Sequence, residues 1–395
     1  MLETPQRIEP ARLEDVPEAV SDLVAELATA ATKLETALHP KTAASLAHLV
    51  RIMNSYYSNL IEGNNTRPRD IERALAGQFD NDERHNLQIE AAAHVRLQAE
   101  LDRQFVVGKM SEPASTEFVS WLHKEFYRDA PPEAMIIKAD GRTITMLPGQ
   151  MRSTTNEDVS VGRHQPPSSE QVAEFMRYFA GRYQFERLGR AACILAIPAA
   201  HHRLNYIHPF ADGNGRVSRL MSHAMAQMAG IGAHGLWSVS RGLARGLESR
   251  TDYKRMMDHA DMPRQGDLDG RGNLSQRALI ELTTWFLKVC LDQINFMLSL
   301  FEIKTLQRRI KTYVEKSGTL KPEAARLLDE ALIRGEFERG EASRITGLPE
   351  RTARRILNDT IAAGLLTSDT PKGPVSLRFT VEAQDIMFPR LFAES

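Results

Sequence analysis

Cysteine is scarce in this chain, with only Cys193 and Cys290 among 395 residues. Both lie in apolar stretches of helical composition, so we expect buried free thiols in a reducing compartment, with one long-range disulfide as the alternative. No apolar run is long enough to span a bilayer, and residues 1–10 mix acids with prolines and lack an apolar core. These absences predict no membrane partner, no signal peptide and a cytoplasmic location.

Net charge is also nearly absent. The formal charge is −1, charged residues make up 26% and hydrophobic residues 42%, which is typical of a globular protein. This balance predicts no global electrostatic attraction to nucleic acid or to a membrane. The length predicts roughly two or three domains.

Most of the chain has helical composition, which predicts a mainly α fold. The exception lies between residues 130 and 167. Residues 142–146 and 159–161 have strand-like composition, and Pro148-Gly149 and residues 155–158 are turn signals. We interpret this region as a short, exposed β-hairpin on a helical body, and a plain surface loop is the alternative.

The most informative stretch runs from His208 to Arg216 and places an imidazole, a carboxylate and two glycines ahead of a helix. The helix is predicted over residues 214–229, where apolar side chains recur on one face. They are Val217, Leu220, Met221, Ala224, Met225 and Met228. A glycine-rich turn that leads into a helix N-terminus favours a bound phosphate, because free N–H groups and the helix dipole point at it.

Each polar residue of this stretch has a chemical use. The absence of a Cβ at Gly213 and Gly215 lets a phosphate approach the backbone. The Asp212 carboxylate suits a divalent cation that bridges phosphates. An imidazole titrates near neutral pH, so His208 can take a proton from an attacking hydroxyl. Arginines at positions 216 and 219 leave one side of the helix and can reach polyphosphate oxygens.

Two simpler interpretations compete with this one. The histidines at 201, 202, 208 and 223, with Asp212, could form a transition-metal site, but no pair has the i, i+4 spacing of a helical zinc site. A single core histidine with a satisfied hydrogen bond would explain His208 but not the glycines, Asn214 or the arginines.

Residues 208–219 resemble the signature of Fic domains, His-Pro-Phe-x-Asp/Glu-Gly-Asn-Gly-Arg-x-x-Arg, at every fixed position. Members typically transfer AMP from ATP to a hydroxyl of a target protein. The resemblance implies that His208 is the general base and Asp212 a Mg²⁺ ligand. A related branch that phosphorylates its targets has Lys in place of the second glycine, so Gly215 favours nucleotidyl transfer. The implied phosphate cradle is Gly213, Asn214, Gly215, Arg216 and Arg219.

The resemblance extends to the expected hairpin, which the family calls the flap and uses to pair with the backbone of its target. A Pro-Gly-x-x-Arg run at residues 148–152 and the pair Pro166-Pro167 match the family markers. The implied substrate-flap residues are Gly149, Gln150, Met151, Arg152, Val161 and Gly162.

Upstream, Ser58 to Gly63 is similar to the family's inhibitory motif Ser/Thr-x-x-x-Glu-Gly/Asn. A carboxylate at Glu62 could form a paired, charge-assisted bond with Arg219 and so occupy the arginine needed by the γ-phosphate. Many members also have a tyrosine near adenine at about the place of Tyr253; a core aromatic is the equal alternative.

The C-terminal part resembles a winged helix-turn-helix, with helices near residues 339–348 and 349–357 and a hairpin from 364 to 379. Arg351, Arg354, Arg355 and Lys372 would face DNA phosphates. Nearby acidic residues dilute this charge, so a structural or protein-binding winged helix is the alternative.

Together these features predict an N-terminal helical region with the inhibitory helix (1–105), a Fic core with flap (106–302) and a winged helix-turn-helix (303–395). The predicted function is an autoinhibited protein adenylyltransferase that uses ATP and Mg²⁺ on a Tyr, Thr or Ser hydroxyl of a protein target or of itself. The alternatives are AMP removal, with Glu62 activating water, and a DNA-binding regulator with a nucleotide-sensing core. Family habit suggests a homodimer.

Overall fold

The computed structural model describes residues 3–80, 84–139, 142–380 and 383–392. The fold is mainly helical, which confirms the class predicted from composition. Within these residues, no helix combines the length and the apolar character needed to cross a membrane. The α-helices are α1 (Glu18–Thr36), α2 (Pro40–Ile61), α3 (Pro68–Leu75), α4 (Arg84–Val106), α5 (Thr116–Phe126), α6 (Val172–Arg182), α7 (Arg190–Ile207), α8 (Asn214–Met228), α9 (Val239–Arg245), α10 (Asp252–Ala260), α11 (Gln276–Leu300), α12 (Ile303–Ser317), α13 (Ala324–Arg334), α14 (Ala342–Thr346), α15 (Glu350–Ala362) and α16 (Gln384–Met387).

The strands form two small sheets. One holds β1 (Ile136–Ala139) and β2 (Arg142–Thr145), and the other holds β3 (Glu336–Phe337), β4 (Leu366–Thr367) and β5 (Val375–Leu377) in the order β3-β5-β4.

The flap hairpin exists, but its strands are not the predicted pair. The strand at 142–145 pairs antiparallel with residues 136–139 and not with 159–161. Asp140 and Gly141, which separate β1 from β2 in sequence, lie outside the described residues. Val161 makes just an isolated bridge with His164. Between β2 and Val161 the chain forms a tight turn at residues 153–157, in which the Glu157 carboxylate accepts hydrogen bonds from the N–H groups of Ser153 and Thr154.

The chain divides into two compact units. The first comprises Met1–Ala31, Asn54–Gly232 and Ser238–Gln293, and the second comprises Thr32–Met53, Ala233–Trp237 and Ile294–Ser395. Helices α1, α2 and α11 contribute residues to both. The domain boundaries expected from the sequence remain predictions.

Helix α8 lies at the centre of the first unit, where it packs against α7, α4 and α5. A helix that is buried on nearly all sides must satisfy its polar side chains internally. Ser222 contacts His201 Nδ1 at 2.9 Å, and His223 Nε2 contacts the Asp102 carboxylate at 2.7 Å. Helix α8 is therefore anchored in the core by its polar side chains as well as by its apolar face.

In the second unit, α13 packs against α12, α14 and the sheet. Strands β4 and β5 pair antiparallel, with Leu366 opposite Leu377, so the predicted C-terminal hairpin is confirmed. Helices α14 and α15 occupy the places expected for the helix-turn-helix pair. The identity of this unit as a winged helix-turn-helix remains a prediction.

Candidate functional site

The loop between α7 and α8 carries the residues singled out from the sequence. Helix α7 ends at Ile207, and His208 follows in a left-handed conformation with φ 52° and ψ 60°. The side chain of Asn214 closes the loop, because its Oδ1 accepts from Phe210 N at 2.9 Å and its Nδ2 donates to Phe210 O at 2.8 Å. The amide of Asn214 is thus used inside the loop. The backbone N–H groups of the first turn of α8 have no acceptor within the helix and are the groups that can bind an anion.

Both glycines of the turn are needed for space. Gly213 has φ +82°, and a Cβ there would lie 2.8 Å from the Tyr127 ring. A Cβ on Gly215 would lie 2.6 Å from Glu62 Oε1 and 3.0 Å from Arg219 Nη1. The space above Gly215 is therefore a cradle that already holds a carboxylate oxygen.

That carboxylate is paired with Arg219. Arg219 Nη2 donates to Glu62 Oε1 at 2.6 Å, and its Nε donates to Ser58 Oγ at 2.9 Å. The Arg219 side chain is 1% exposed and that of Glu62 is 34% exposed. Burial alone would raise the pKa of Glu62, but the charges of Arg219 and Arg216 outweigh it and hold that pKa below its ordinary value. Glu62 is therefore an anion near neutral pH.

The second cradle arginine is held by residues that sequence reasoning missed. Arg216 Nη2 lies 2.9 Å from Glu90 Oε2 on α4, and its Nη1 donates to the Tyr127 hydroxyl at 2.8 Å. Burial raises the pKa of Glu90, and the Asp212 and Glu62 carboxylates add to this against the charge of Arg216. Neither Glu90 nor Tyr127 belongs to a local motif, so nothing in the sequence distinguished them from other helical residues.

His208 is partly buried beside this cradle. Burial, and next the charge of Arg152, lower its pKa to about 4. The imidazole is therefore neutral at neutral pH, which is the form that can accept a proton.

Asp212 fits a hard cation. Its side chain is 53% exposed; Oδ1 accepts from Gly213 N at 2.7 Å, and Oδ2 lies 3.9 Å from Arg216 Nη1. An open carboxylate suits Mg²⁺ that takes its other ligands from phosphates and water. No group of three or more His, Cys, Asp or Glu side chains that could hold a metal occurs in the described part of the chain. The role of Asp212 as a Mg²⁺ ligand remains a prediction.

His123, also missed, joins the loop to the segment after β2. Its Nδ1 accepts from Gly149 N at 2.8 Å, so its Nε2 carries the proton and donates to Asp212 O at 3.2 Å. The ring stacks on Phe210 at 4.0 Å. Burial lowers the pKa of His123 to about 4, which keeps this tautomer neutral.

The six expected flap residues fall into different environments. Gly149 is bound to His123, Arg152 is bound to His208 O in the loop, and Arg152 is only 3% exposed. Between them, Gln150 is exposed and Met151 is half-buried. Val161 and Gly162 lie outside the hairpin and are also exposed. Docking of a target by these residues stays a prediction.

Tyr253 lies in the core close to Arg219. Its hydroxyl contacts His201 Nε2 at 2.8 Å, and its ring stacks on Trp285 with centroids 6.5 Å apart. Burial raises its pKa to about 12. Its contacts are those of a core aromatic, and contact with adenine remains a prediction.

Comparison with known proteins places this geometry in a family. Residues 113–226 match the model of the Fic/DOC family. The chain is similar to the protein adenylyltransferase Fic of Culex quinquefasciatus, with 37% identity over 82 residues that cover 21% of this chain and 16% of that protein. The Drosophila melanogaster protein of the same name is 38% identical over 72 residues, covering 18% of this chain and 15% of that protein. The chain thus matches only about a sixth of the length of these relatives.

Solved structures share the fold at low identity. A Fic family protein from Desulfovibrio desulfuricans aligns over 93% of this chain and 98% of its own, with a TM-score of 0.54 and 16% identity. Fic-1 from Caenorhabditis elegans aligns over 72% of this chain and 73% of its own, with a TM-score of 0.51 and 15% identity. The family match, together with the complete signature, shows that this chain carries a Fic domain at residues 113–226.

Proposed function

We propose that this protein is an autoinhibited adenylyltransferase, which transfers AMP from ATP to a hydroxyl of a protein and is restrained by Glu62. The observation that carries the proposal is the position of the Glu62 carboxylate. It bonds Arg219 at 2.6 Å and reaches the space above Gly215 that only a residue without a Cβ leaves open. A cradle that stabilises one oxyanion is suited to another, here a phosphate of ATP.

The groups around the loop suit an in-line attack on the α-phosphate. Neutral His208 takes the proton of the target hydroxyl, and the oxygen forms a bond to the α-phosphorus. The bond from that phosphorus to the bridging oxygen breaks, and pyrophosphate leaves with the electron pair. Arg216 and the N–H groups of α8 stabilise its charge. Asp212 would hold a Mg²⁺ ion, which would supply further charge neutralisation on the phosphates.

Glu62 opposes this reaction in two ways. Its bond occupies Arg219, which the γ-phosphate needs, and its negative charge repels a phosphate from the space above Gly215. ATP that binds in spite of the carboxylate must shift its polyphosphate, and a misplaced α-phosphate loses the alignment on which the rate depends.

The test is removal of the carboxylate. Glu62→Gly should raise incorporation of label from α-labelled ATP, into the protein itself or a lysate, by about ten- to a hundredfold, because a charge-assisted bond contributes about 1.5–3 kcal/mol. Glu62→Gln keeps the volume and removes the charge, so a smaller gain in the same direction would assign part of the effect to charge. Equal incorporation by the parent protein and Glu62→Gly would contradict the proposal.

Two double variants tie the gain to the site. Glu62→Gly with Arg219→Ala should fall back towards the parent rate, because the released arginine is then missing. Glu62→Gly with His208→Ala should lose transfer while binding of a fluorescent ATP analogue persists, since His208 acts on the target hydroxyl and not on the phosphates.

A further inference from the structure

His208 has a backbone conformation that needs support. A left-handed conformation costs a residue with a Cβ roughly 1–2 kcal/mol, and helices that end in this way normally place glycine there. His208 has φ 52° and ψ 60° and directly follows the last residue of α7. The surrounding structure must therefore compensate, or the imidazole would not stay in one position.

One residue contacts three successive carbonyl groups at this helix end, those of Ile207, His208 and Pro209. Arg152 Nε donates to His208 O at 2.8 Å, and its Nη2 donates to Ile207 O at 3.2 Å. The backbone N–H of Arg152 donates to Pro209 O at 2.8 Å. The last carbonyls of a helix lack partners within it and form the negative end of the helix dipole, so a fork of N–H donors with a positive charge matches them.

The guanidinium is itself held in place. Its Nη1 donates to Ser169 Oγ at 2.7 Å and its Nη2 to Pro167 O at 3.2 Å. Asp158 Oδ1 lies 3.7 Å from Nη1 and accepts from Ser169 N at 2.7 Å. The side chain is 1% exposed, so it cannot act as a target-docking group while it stays in this place.

We propose that Arg152 is a positioning residue, which holds His208 in its left-handed conformation and so fixes the imidazole relative to the phosphate cradle. The inference rests on the proposed function, because it assigns Arg152 a part in AMP transfer. It replaces the expectation that this arginine belongs to a substrate-docking strand. The residue acts through the backbone of His208 and does not touch the reacting atoms.

The experiment uses the full chain with Glu62→Gly as the active parent. Adding Arg152→Lys keeps the positive charge but removes the planar fork that spans the carbonyls. We expect kcat for AMP transfer to fall about a hundredfold, as for a small displacement of a catalytic group. Binding of a fluorescent ATP analogue should be little changed, because Arg152 contacts no cradle residue. Adding Arg152→Ala instead should also remove activity, and millimolar guanidinium ion should restore part of it.

Arg309→Lys in the same background is the matched control. Arg309 donates to Leu300 O, the last carbonyl of α11, at 3.0 Å in the second unit, and its replacement should leave kcat unchanged. If Arg152 has a merely structural role, its replacement lowers ATP binding and kcat together, and guanidinium ion restores no activity. That outcome overturns the inference, and so does an unchanged kcat in folded Arg152→Lys. If Arg152→Ala does not fold, the kcat and the ATP-analogue binding of Arg152→Lys test the inference alone. An inactive Glu62→Gly parent would instead refute the proposed function.

Discussion

At the scale of single residues, the two cradle arginines are each paired with a carboxylate but differ in how easily the pair can open. The Glu62 side chain is 34% exposed, whereas that of Glu90 is 13% exposed. Water can replace the hydrogen bonds of the more exposed carboxylate, so separating Glu62 from Arg219 costs less free energy than separating Glu90 from Arg216. We infer that Glu62 is the exchangeable partner, and that Glu90 with Tyr127 keeps Arg216 in place whether or not Glu62 is bound.

The backbone conformation of Gly213 and its contact with Tyr127 predict that a larger residue at this position is destabilising. Gly213→Ala would combine a positive φ with a Cβ 2.8 Å from the fully buried Tyr127 ring. We expect a loss of about 1–3 kcal/mol in the free energy of unfolding, measured by urea denaturation.

Gly181→Ala is the matched control, because its added Cβ would meet no atom within 4 Å beyond the neighbouring backbone of its own helix. It should leave stability unchanged or slightly higher. Equal stability of the two variants would show that the ring and the turn relax without cost.

At the scale of elements, the segment after β2 has two faces. Gly149 and Arg152 bind the loop through His123 and the carbonyls of α7, while Gln150 points to solvent. Within the described residues, the Met151 N–H has no hydrogen-bond partner. A free donor beside an exposed side chain is what strand addition by a target peptide needs.

Met151→Pro removes this donor. In the Glu62→Gly background we expect target modification to weaken while binding of an ATP analogue stays unchanged, because no cradle group is altered. Met151→Ala keeps the N–H and should modify the target at the parent rate. Normal modification by Met151→Pro would exclude this N–H as part of the docking edge.

At the scale of the whole molecule, neutral buried histidines make stability depend on pH. Burial is the first cause that lowers the pKa of His94 and His201 to about 3 and of His123 and His208 to about 4, from 6.5. Below pH 6.5 the unfolded chain binds protons that the folded chain does not. The free energy of unfolding that these neutral histidines contribute is therefore complete above pH 6.5. It is lost as the pH falls through their folded pKa values of about 3 and about 4.

We expect the unfolding temperature to fall between pH 7 and pH 4.5, with each histidine contributing at most about 1.4 kcal/mol per pH unit. His94→Leu should make the decline shallower, because one of these groups is gone. His39→Gln, at an exposed position, should leave the slope unchanged. An unfolding temperature that is independent of pH over this range would contradict the assignment of these histidines as neutral groups.

The C-terminal unit offers less free positive charge than its arginine content suggests. Arg334 and Arg344 both pair with Glu330 and Glu341, and Arg354 pairs with Glu350. These pairs compete with phosphate contacts, which supply most of the affinity in DNA binding. Binding of DNA by this unit, formation of a homodimer and a cytoplasmic location stay predictions.

The amino-acid sequence by itself determined the glycine turn and the helix that starts at Asn214, because both depend on local geometry over a few turns of chain. The chemical roles of the residues from His208 to Arg219 remain predictions. The sequence also determined the helical class, since apolar periodicity reports which face of a helix is buried. It misplaced one flap strand, because strand-like composition at 159–161 does not show which neighbouring segment pairs with residues 142–145, and the observed partner is 136–139.

Only the tertiary structure decided which distant groups meet this loop. Glu90 and His123 carry no motif, and the motif that contains Arg152 implied target docking rather than a bond to the loop. Each of the three acquires its contact because α4, α5 and the segment after β2 come close to the loop and α8. Periodicity predicts that a side chain is buried but does not name its partner, since partners far apart in sequence are chosen by the packing of whole elements. The motif could suggest that Glu62 would meet Arg219, whereas the occupation of the space above Gly215 by its carboxylate is a fact of the folded chain.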